Sequence, residues 1–257
     1  MSKKHQLLSY ISYWLNEENE HSLHSPFVYE LYKKVIIQKN NKPIYPNIEQ
    51  IRYQFIQSKK VLNVQDFGSG EERSSERKIA DIAAKGLSRR KYSELFERLI
   101  HFLEAKKIVE LGTSLGINTL YLANGNNKEI TTFEGDPSLA AIAAAVFEGN
   151  DKNVNIIEGN IDKTLPTFLQ KKEAFDFVLF DANHRYAPTM DYFNQFLRHK
   201  HDTTCFVFDD IHFNEEMESA WAKIKSHYEV TVSIDLFQVG LIFFNPELRK
   251  QDYILAF

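Results

Sequence analysis

Residues 106–119 read KKIVELGTSLGINT, and this stretch restricts the fold more than any other. Ile108, Val109 and Leu111 form a short apolar run with lysines before it and Gly112 after it, the pattern of a buried parallel strand that stops at its carboxyl end. Gly112 and Gly116 bracket a tight Thr113-Ser114-Leu115 turn, and helical spacing resumes over 117–123. A strand, a glycine turn and a helix start make a ligand cradle, because glycines admit close backbone approach and first-turn N–H groups have no partner inside the helix. Glu110 sits inside the strand end. A carboxylate there repels a pyrophosphate and accepts a hydrogen bond from an ammonium group. The pattern therefore points to a cationic, nucleoside-like ligand before it points to a dinucleotide.

From this strand onward the chain alternates. Strand segments 129–136 (EITTFEGD), 153–160 (NVNIIEGN), 175–182 (FDFVLFDA) and 203–210 (TTCFVFDD) are each followed by a helical pattern, at 137–148, 165–171, 188–199 and 215–228. Pro137 opens the first of these and five alanines fill it, both favourable to a helix. Five such alternations predict a parallel sheet wound on both faces by right-handed crossovers. Residues 230–244 (VTVSIDLFQVGLIFF) read as two strands joined near Phe237-Gln238 with no room for a helix, so an antiparallel hairpin closes the sheet. The expectation is an α/β, Rossmann-like doubly wound, mostly parallel seven-stranded sheet with a C-terminal antiparallel hairpin.

A helical N-terminal extension is expected before it. Helical spacing covers 4–19, Ser25 and Pro26 stand as N-cap and first helical residue, and 48–62, 71–85 and 91–103 continue the helical pattern. The loop 38–47 (QKNNKPIYPN) separates two of these helices, and 66–73 (DFGSGEER) is either a linker or a mobile loop over the active site, with Asp66 or Arg73 reaching inward. The domain reading is 1–90 as an extension covering the substrate site and 91–257 as the cofactor domain.

A net charge of −4 with 26% charged residues gives no general nucleic-acid or membrane-surface binder. Cys205, the single cysteine, excludes an intrachain disulfide and packs as a small hydrophobe in TTCFVF. There is no run of ~18 apolar residues and no signal-peptide pattern at the start, so a soluble, cytoplasmic protein is expected. The 20 phenylalanines are read as core.

In open α/β sheets ligands bind beyond the carboxyl ends of the strands. Those ends carry Glu110, Gly112, Ser114 and Gly116; then Glu134 and Asp136; then Gly159, Asn160 and Asp162; then Asp181, Asn183 and His184; then Asp209, Asp210 and His212. Glu134 is placed to take both ribose hydroxyls of an adenosine, which by itself fits NAD and S-adenosylmethionine equally. The G-x-x-x-G spacing of Gly112 and Gly116 departs from the dinucleotide G-x-G-x-x-G, and Glu110 opposes a dinucleotide.

At VELGTSLGINTLYLA, TTFEGDP, NIIEGN, FDFVLFDANHRY and FVFDDIHF the chain resembles the class I S-adenosylmethionine-dependent methyltransferases. It is most similar to the catechol and caffeoyl-coenzyme A type of O-methyltransferase and its bacterial relatives, over roughly 90–245. The resemblance implies methyl transfer from S-adenosylmethionine to an oxygen, or a nitrogen, of a small-molecule acceptor. It implies Glu110, Gly112, Thr113, Ser114 and Gly116 around the amino-acid moiety, Glu134 and Gly135 at the ribose, Gly159, Asn160 and Ile161 beside the adenine, and Asp181 at the cofactor's edge. It also implies Mg²⁺ or another divalent cation on Asp181, Asp209 and Asp210, with Asp210 standing where the family has Asn. The alternative for Asp209 and Asp210 is that they cap the following helix. His184, three residues after Asp181, occupies the place of the family's general-base Lys, and His212, reached from the neighbouring strand end, is a second base candidate; Asp181 is the third catalytic candidate. The rivals are an NAD-dependent oxidoreductase and a non-catalytic module that binds a partner through its N-terminal helices. A nucleic-acid methyltransferase is opposed by the net charge and by the lack of an Asn/Asp-Pro-Pro-Tyr motif.

Overall fold

The computed structural model of the chain describes residues 3–38, 42–66, 73–125, 127–171 and 173–257, with Lys3, Lys4, Asp66 and Arg73 described by backbone alone. Most of the expected 66–73 loop, and the inward reach of Asp66 or Arg73, lie outside the described residues. In chain order the elements are α1 (Lys3–Leu15), α2 (Pro26–Leu31, continued by a π-helical turn), α3 (Pro46–Ile56), β1 (Val61–Asp66), β2 (Arg73–Lys78), α4 (Ile79–Lys85) and α5 (Arg90–Phe102). There follow β3 (Lys107–Leu111), α6 (Ile117–Leu122), β4 (Glu129–Glu134), α7 (Pro137–Glu148), β5 (Val154–Glu158), α8 (Ile161–Leu169), β6 (Phe177–Phe180) and α9 (Tyr186–Phe196). The last are β7 (Cys205–Asp209), α10 (Glu215–Lys225), β8 (Val232–Asp235), β9 (Val239–Phe243) and β10 (Gln251–Ile254).

The principal sheet has eight strands in the order β10-β8-β9-β7-β6-β3-β4-β5. Pairing is parallel for β3/β4, β4/β5, β6/β7 and β10/β8, and antiparallel where β9 runs between β7 and β8. The strands read as continuous apolar runs are the buried ones: every residue of β6, β7, β8 and β9 is buried, while the edge strand β5 is only half covered. The expected sheet had seven strands. The eighth, β10, is four residues long, and within it only Tyr253 is buried, so its place comes from backbone pairing with β8 rather than from an apolar pattern. No helix among the described residues is long and apolar enough to cross a membrane.

Two compact units divide the chain at places other than residue 90: 39–170, and 1–38 with 171–257. In the first, the expected helix 48–62 ends at Ile56, and 61–66 and 73–78 form an antiparallel hairpin instead of helix. Leu62 and Val64 explain it. Two residues apart, they point to one face and pack with Ile79, Ile82, Ala83, Leu115 and Leu139, which helical spacing would not allow. Helix α3 is bound just as closely: Ile48 packs with Ile117, Leu120, Tyr121, Ala143 and Phe147. Buried Arg52 donates to Glu49 Oε1 (3.0 Å), the Ser88 carbonyl (2.8 Å) and Ser93 Oγ (3.3 Å), and Tyr121 Oη donates to Glu49 Oε1 (2.9 Å). Each of the three guanidinium nitrogens of Arg52 thus donates to a fixed acceptor, which is the use a buried guanidinium requires.

The second unit is held by aromatic packing, as the phenylalanine count implied. Phe180 stacks on Phe208 at 4.3 Å, and Phe196, Phe206 and Phe244 meet edge to face around them. Cys205 is fully buried within this packing. The β8–β9 hairpin turns at Phe237 in left-handed backbone (φ 67°), held by its N–H donating to Asp235 Oδ1 at 2.8 Å. On β9, a Cβ at Gly240 would lie 2.6 Å from two ring carbons of Trp221, whose indole N–H donates to Asp235 Oδ2 at 3.3 Å. Gly240→Ala is expected to lower stability by about 1–3 kcal/mol through overpacking. Thermal unfolding read by circular dichroism checks this, and an unchanged melting temperature would show that the indole can move aside freely.

Candidate functional site

Candidate residues occur in each of the two units, and each group is set by the strands of its own unit. In unit 39–170, β3 ends with Glu110 fully buried. The β3/β4 register sets Thr132 opposite it, and the Thr132 hydroxyl donates to Glu110 Oε2 at 2.7 Å. Thr119 on α6 donates to the same oxygen at 2.5 Å, and the Thr113 and Thr132 hydroxyls are 2.7 Å apart. Glu110 Oε1 is buried with no hydrogen-bond partner among the described residues. Burial raises the Glu110 pKa to about 7, against the pull of the two hydroxyls and with the help of the Glu134 charge. A buried carboxylate with one oxygen unmet is costly unless a ligand answers it, and a cationic donor is the answer that suits both its charge and its free lone pairs.

Glu134, at the end of β4, is almost fully buried and oriented by backbone amides. Ser114 N–H donates to Oε2 at 2.7 Å and Asp136 N–H to Oε1 at 2.9 Å. Its pKa is also raised to about 7, by burial first, with the amides of Asp136, Ser114 and Gly135 opposing. Ser114 turns its N–H to Glu134 from left-handed backbone (φ 50°), so the turn after β3 and the end of β4 are locked together by one carboxylate. Each oxygen keeps a lone pair for a ribose hydroxyl. Gly159 (φ 122°) donates its N–H to the Glu134 carbonyl at 2.8 Å, and Asn160 caps α8 through the Asp162 N–H at 2.9 Å, with Ile161 buried behind.

Helix α6 spans six residues, close to the 117–123 read from the sequence, and Glu110 remains the deciding group of this turn. Gly116 (φ 78°) is required by packing as well as by the turn: a Cβ there would meet Phe147 Cε1 at 2.8 Å. The site also holds residues to which the motifs assigned no role. Thr119 and Thr132 are the two that fix Glu110. Asp136 caps α7 through the Leu139 N–H (2.8 Å) while accepting from the Gln65 N–H of β1 (2.7 Å). A threonine pair in the middle of a buried strand was the one available signal for Thr132.

In unit 1–38 with 171–257, β6 leads into Asp181, Asn183 (φ 67°) and His184 (φ 30°). Two left-handed residues in succession turn the loop sharply. Asn214 holds it by donating to the His184 carbonyl at 3.1 Å while capping α10 through the Met217 N–H at 2.8 Å. Asn214, not Asp209 or Asp210, is therefore the cap of this helix. The His184 Nε2 lies 3.8 Å from Asp181 Oδ1, beyond hydrogen-bond range. Burial lowers the His184 pKa and the Asp210 charge works against it; burial raises Asp210, opposed by His184 and by a hydrogen bond from Gln238. His184 is thus held in its neutral, proton-accepting form.

His212 is placed differently. Its Nδ1 meets Glu218 Oε1 at 2.9 Å and its Nε2 meets Asp235 Oδ2 at 2.8 Å, with the ring stacked on Phe237 at 5.4 Å. Burial alone would lower its pKa, but the hydrogen bonds and charges of Asp235 and Glu218 raise it. Both nitrogens are occupied, so this imidazole is a charged brace. No three His, Cys, Asp or Glu side chains among the described residues converge as metal ligands. Asp181, Asp209 and Asp210 share no coordination point as arranged, and no step below uses a metal.

A mostly parallel sheet with acids at its carboxyl ends, one of them fully buried, is the arrangement found here on residues 107–162. Residues 109–211 match a family model described as a methyltransferase domain. Catechol O-methyltransferase from Niastella koreensis is 30% identical over 123 residues, which are 46% of this chain and 55% of that protein. The chain thus spans about half the length of the curated relative it matches. Among solved structures, the O-methyltransferase from Bacillus cereus in complex with SAH superposes with a TM-score of 0.55 at 18% identity, covering 84% of this chain and 97% of the other. The SAH-bound methyltransferase PaMTH1 from Podospora anserina gives 0.56 at 16% identity, covering 81% and 99%. The fold is that of the class I methyltransferases.

Proposed function

We propose that this chain transfers a methyl group from S-adenosylmethionine to an oxygen of a small-molecule acceptor in the cytoplasm. The observation that carries the reading is Glu110, a fully buried carboxylate with one oxygen unmet at the end of β3, beside the amide-oriented Glu134. Glu110 is read as the acceptor for the ammonium group of the cofactor's amino-acid moiety, with Gly112, Thr113, Ser114 and Gly116 forming the turn around it. Glu134 and Gly135 are read at the ribose, and Gly159, Asn160 and Ile161 beside the adenine.

When bound, the sulfonium supplies an electrophilic methyl group, so the protein's share is chiefly alignment and proton handling. His184, neutral by burial, is the group proposed to take the acceptor's hydroxyl proton at Nε2, with Asp181 beside it to stabilise the resulting imidazolium. The catechol O-methyltransferase relative supports an oxygen acceptor.

Calorimetric titration of the full chain tests the reading. Binding of S-adenosylmethionine with no binding of NAD is expected, and release of S-adenosylhomocysteine with a panel of catechol-like and other hydroxylated acceptors is expected to follow. No binding at millimolar cofactor removes the proposal. Binding of the cofactor without turnover by any acceptor favours a binding module instead. The full chain is the proper sample, since deleting 1–65 would remove Arg52 and Glu49 from the core of unit 39–170.

A further inference from the structure

Helix α1 is turned inside out. The side chains it sets against its own unit are few and carry polar atoms: Ser9 and Tyr13 are buried, the Tyr13 ring meets Phe237 at 5.4 Å while its Oη donates to the Leu255 carbonyl at 2.5 Å, and His5 Nε2 lies 3.5 Å from Glu218 Oε2. Leu7, Leu8, Tyr10, Ile11, Trp14 and Leu15, by contrast, are 42–68% exposed. A surface helix ordinarily does the reverse.

We propose that this face pairs with the same face of a second copy of the chain, in an antiparallel, two-fold helix contact centred on Ile11. Two features select that occupant. Leu7 and Leu8 precede Ile11 by four and three residues, and Trp14 and Leu15 follow it by three and four, so the stripe reads alike in both directions. An antiparallel pairing about Ile11 therefore sets Leu7 against Leu15 and Leu8 against Trp14, apolar on apolar, which makes the patch complementary to itself. The extent is also suitable. At ~200 Å² for a fully exposed large side chain, the six residues offer ~700 Å², above the usual largest patch of a monomer and near the ~800 Å² per partner of a stable interface.

A lipid surface suits the helix less well. Interfacial helices keep a basic polar face towards the headgroups, whereas here the polar face is occupied by the protein itself, and Glu17, Glu18 and Glu20 follow the stripe. The contact also extends to the hairpin tip. Tyr10 packs edge to face on Phe237 at 5.1 Å, and Phe237 stacks on His212. The pairing helix is therefore seated on the turn that follows β8.

Sedimentation velocity of the full chain from about 1 to 100 µM is expected to show a dimer. The double variant Leu8→Glu/Leu15→Glu changes only exposed positions and is expected to raise the dimer dissociation constant about 100-fold or more, with circular dichroism and melting temperature little changed. Ile11→Cys is expected to form a covalent dimer under mild oxidation, since Cys205 is buried and does not compete. A wild-type monomer at about 100 µM overturns the proposal. So does a dimer that survives the double variant, or a monomer that co-sediments with phosphatidylglycerol vesicles.

Discussion

Glu110→Gln is expected to make the protein more stable above neutral pH and at the same time to weaken S-adenosylmethionine binding by about tenfold or more. The two effects have one cause. Burial raises the carboxyl from its ordinary 4.5 to about 7, so the folded chain without ligand binds the proton more tightly than the unfolded chain does. Stability therefore falls as pH rises from about 4.5 to about 7 and is then level, the slope following the excess protons held by the folded state. At pH 8 this is a penalty of about 3 kcal/mol, at 1.36 kcal/mol per pKa unit. Glutamine keeps an oxygen for Thr119 and Thr132 and carries no charge. The variant should melt ~5–10 °C higher than the wild type at pH 8, given ~2–4 °C per kcal/mol for a chain of this size, and about equally at pH 5. A bound ammonium group compensates the ionised carboxylate, so wild-type cofactor affinity should increase as pH rises through about 7, and that increase should vanish in the variant. Differential scanning fluorimetry and calorimetry across pH 5–9 check both parts. A variant that binds the cofactor as tightly as the wild type at pH 8 would show that Glu110 faces something else.

How far such a residue could be found from sequence depends on what fixes it. The sheet was legible because buried parallel strands are short, largely apolar runs ending in turn residues: β6 and β7 are nearly unbroken, and β3 is broken only by Glu110. The β1–β2 hairpin was not. Its buried apolar signal is two residues, Leu62 and Val64, and its second strand, RSSERK, has no apolar residue at all. Glu110 and Glu134 were identifiable because an acid at a strand end is chemically out of place. Their support was not: Thr132 is next to Glu110 only through the β3/β4 register, and Thr119 only through the turn that returns α6 over the strand. The two histidines show the same limit. His184 and His212 are the same residue type at neighbouring strand ends, and what separates them is Asp235, 23 residues beyond His212 in a different strand.

That separation predicts opposite phenotypes. His212→Ala removes the positive brace between Glu218 and Asp235 and leaves two carboxylates facing the gap. Removing one partner of a buried ion pair costs about 3–5 kcal/mol, and because Glu218 is 30% exposed about 2–3 kcal/mol is expected here, or ~5–10 °C in melting temperature. The pH dependence has a definite sign. The folded-state pKa of His212 lies above its ordinary 6.5, so its contribution is complete below about 6.5 and is lost as pH rises through the folded value. The gap between wild type and His212→Ala should therefore be widest near pH 6 and narrow towards pH 9, where the neutral ring keeps one donor and its stacking on Phe237. Turnover per folded molecule should change little. His184→Ala should do the reverse, lowering the rate with an active acceptor by about 10²–10³ while shifting the melting temperature by only a few degrees, since His184 makes no short ion pair. Thermal melts across pH, with single-turnover methyl transfer on both variants, distinguish the two roles. A rate loss in His212→Ala without a stability loss would move the base to His212 and require one of its two carboxylates to release it.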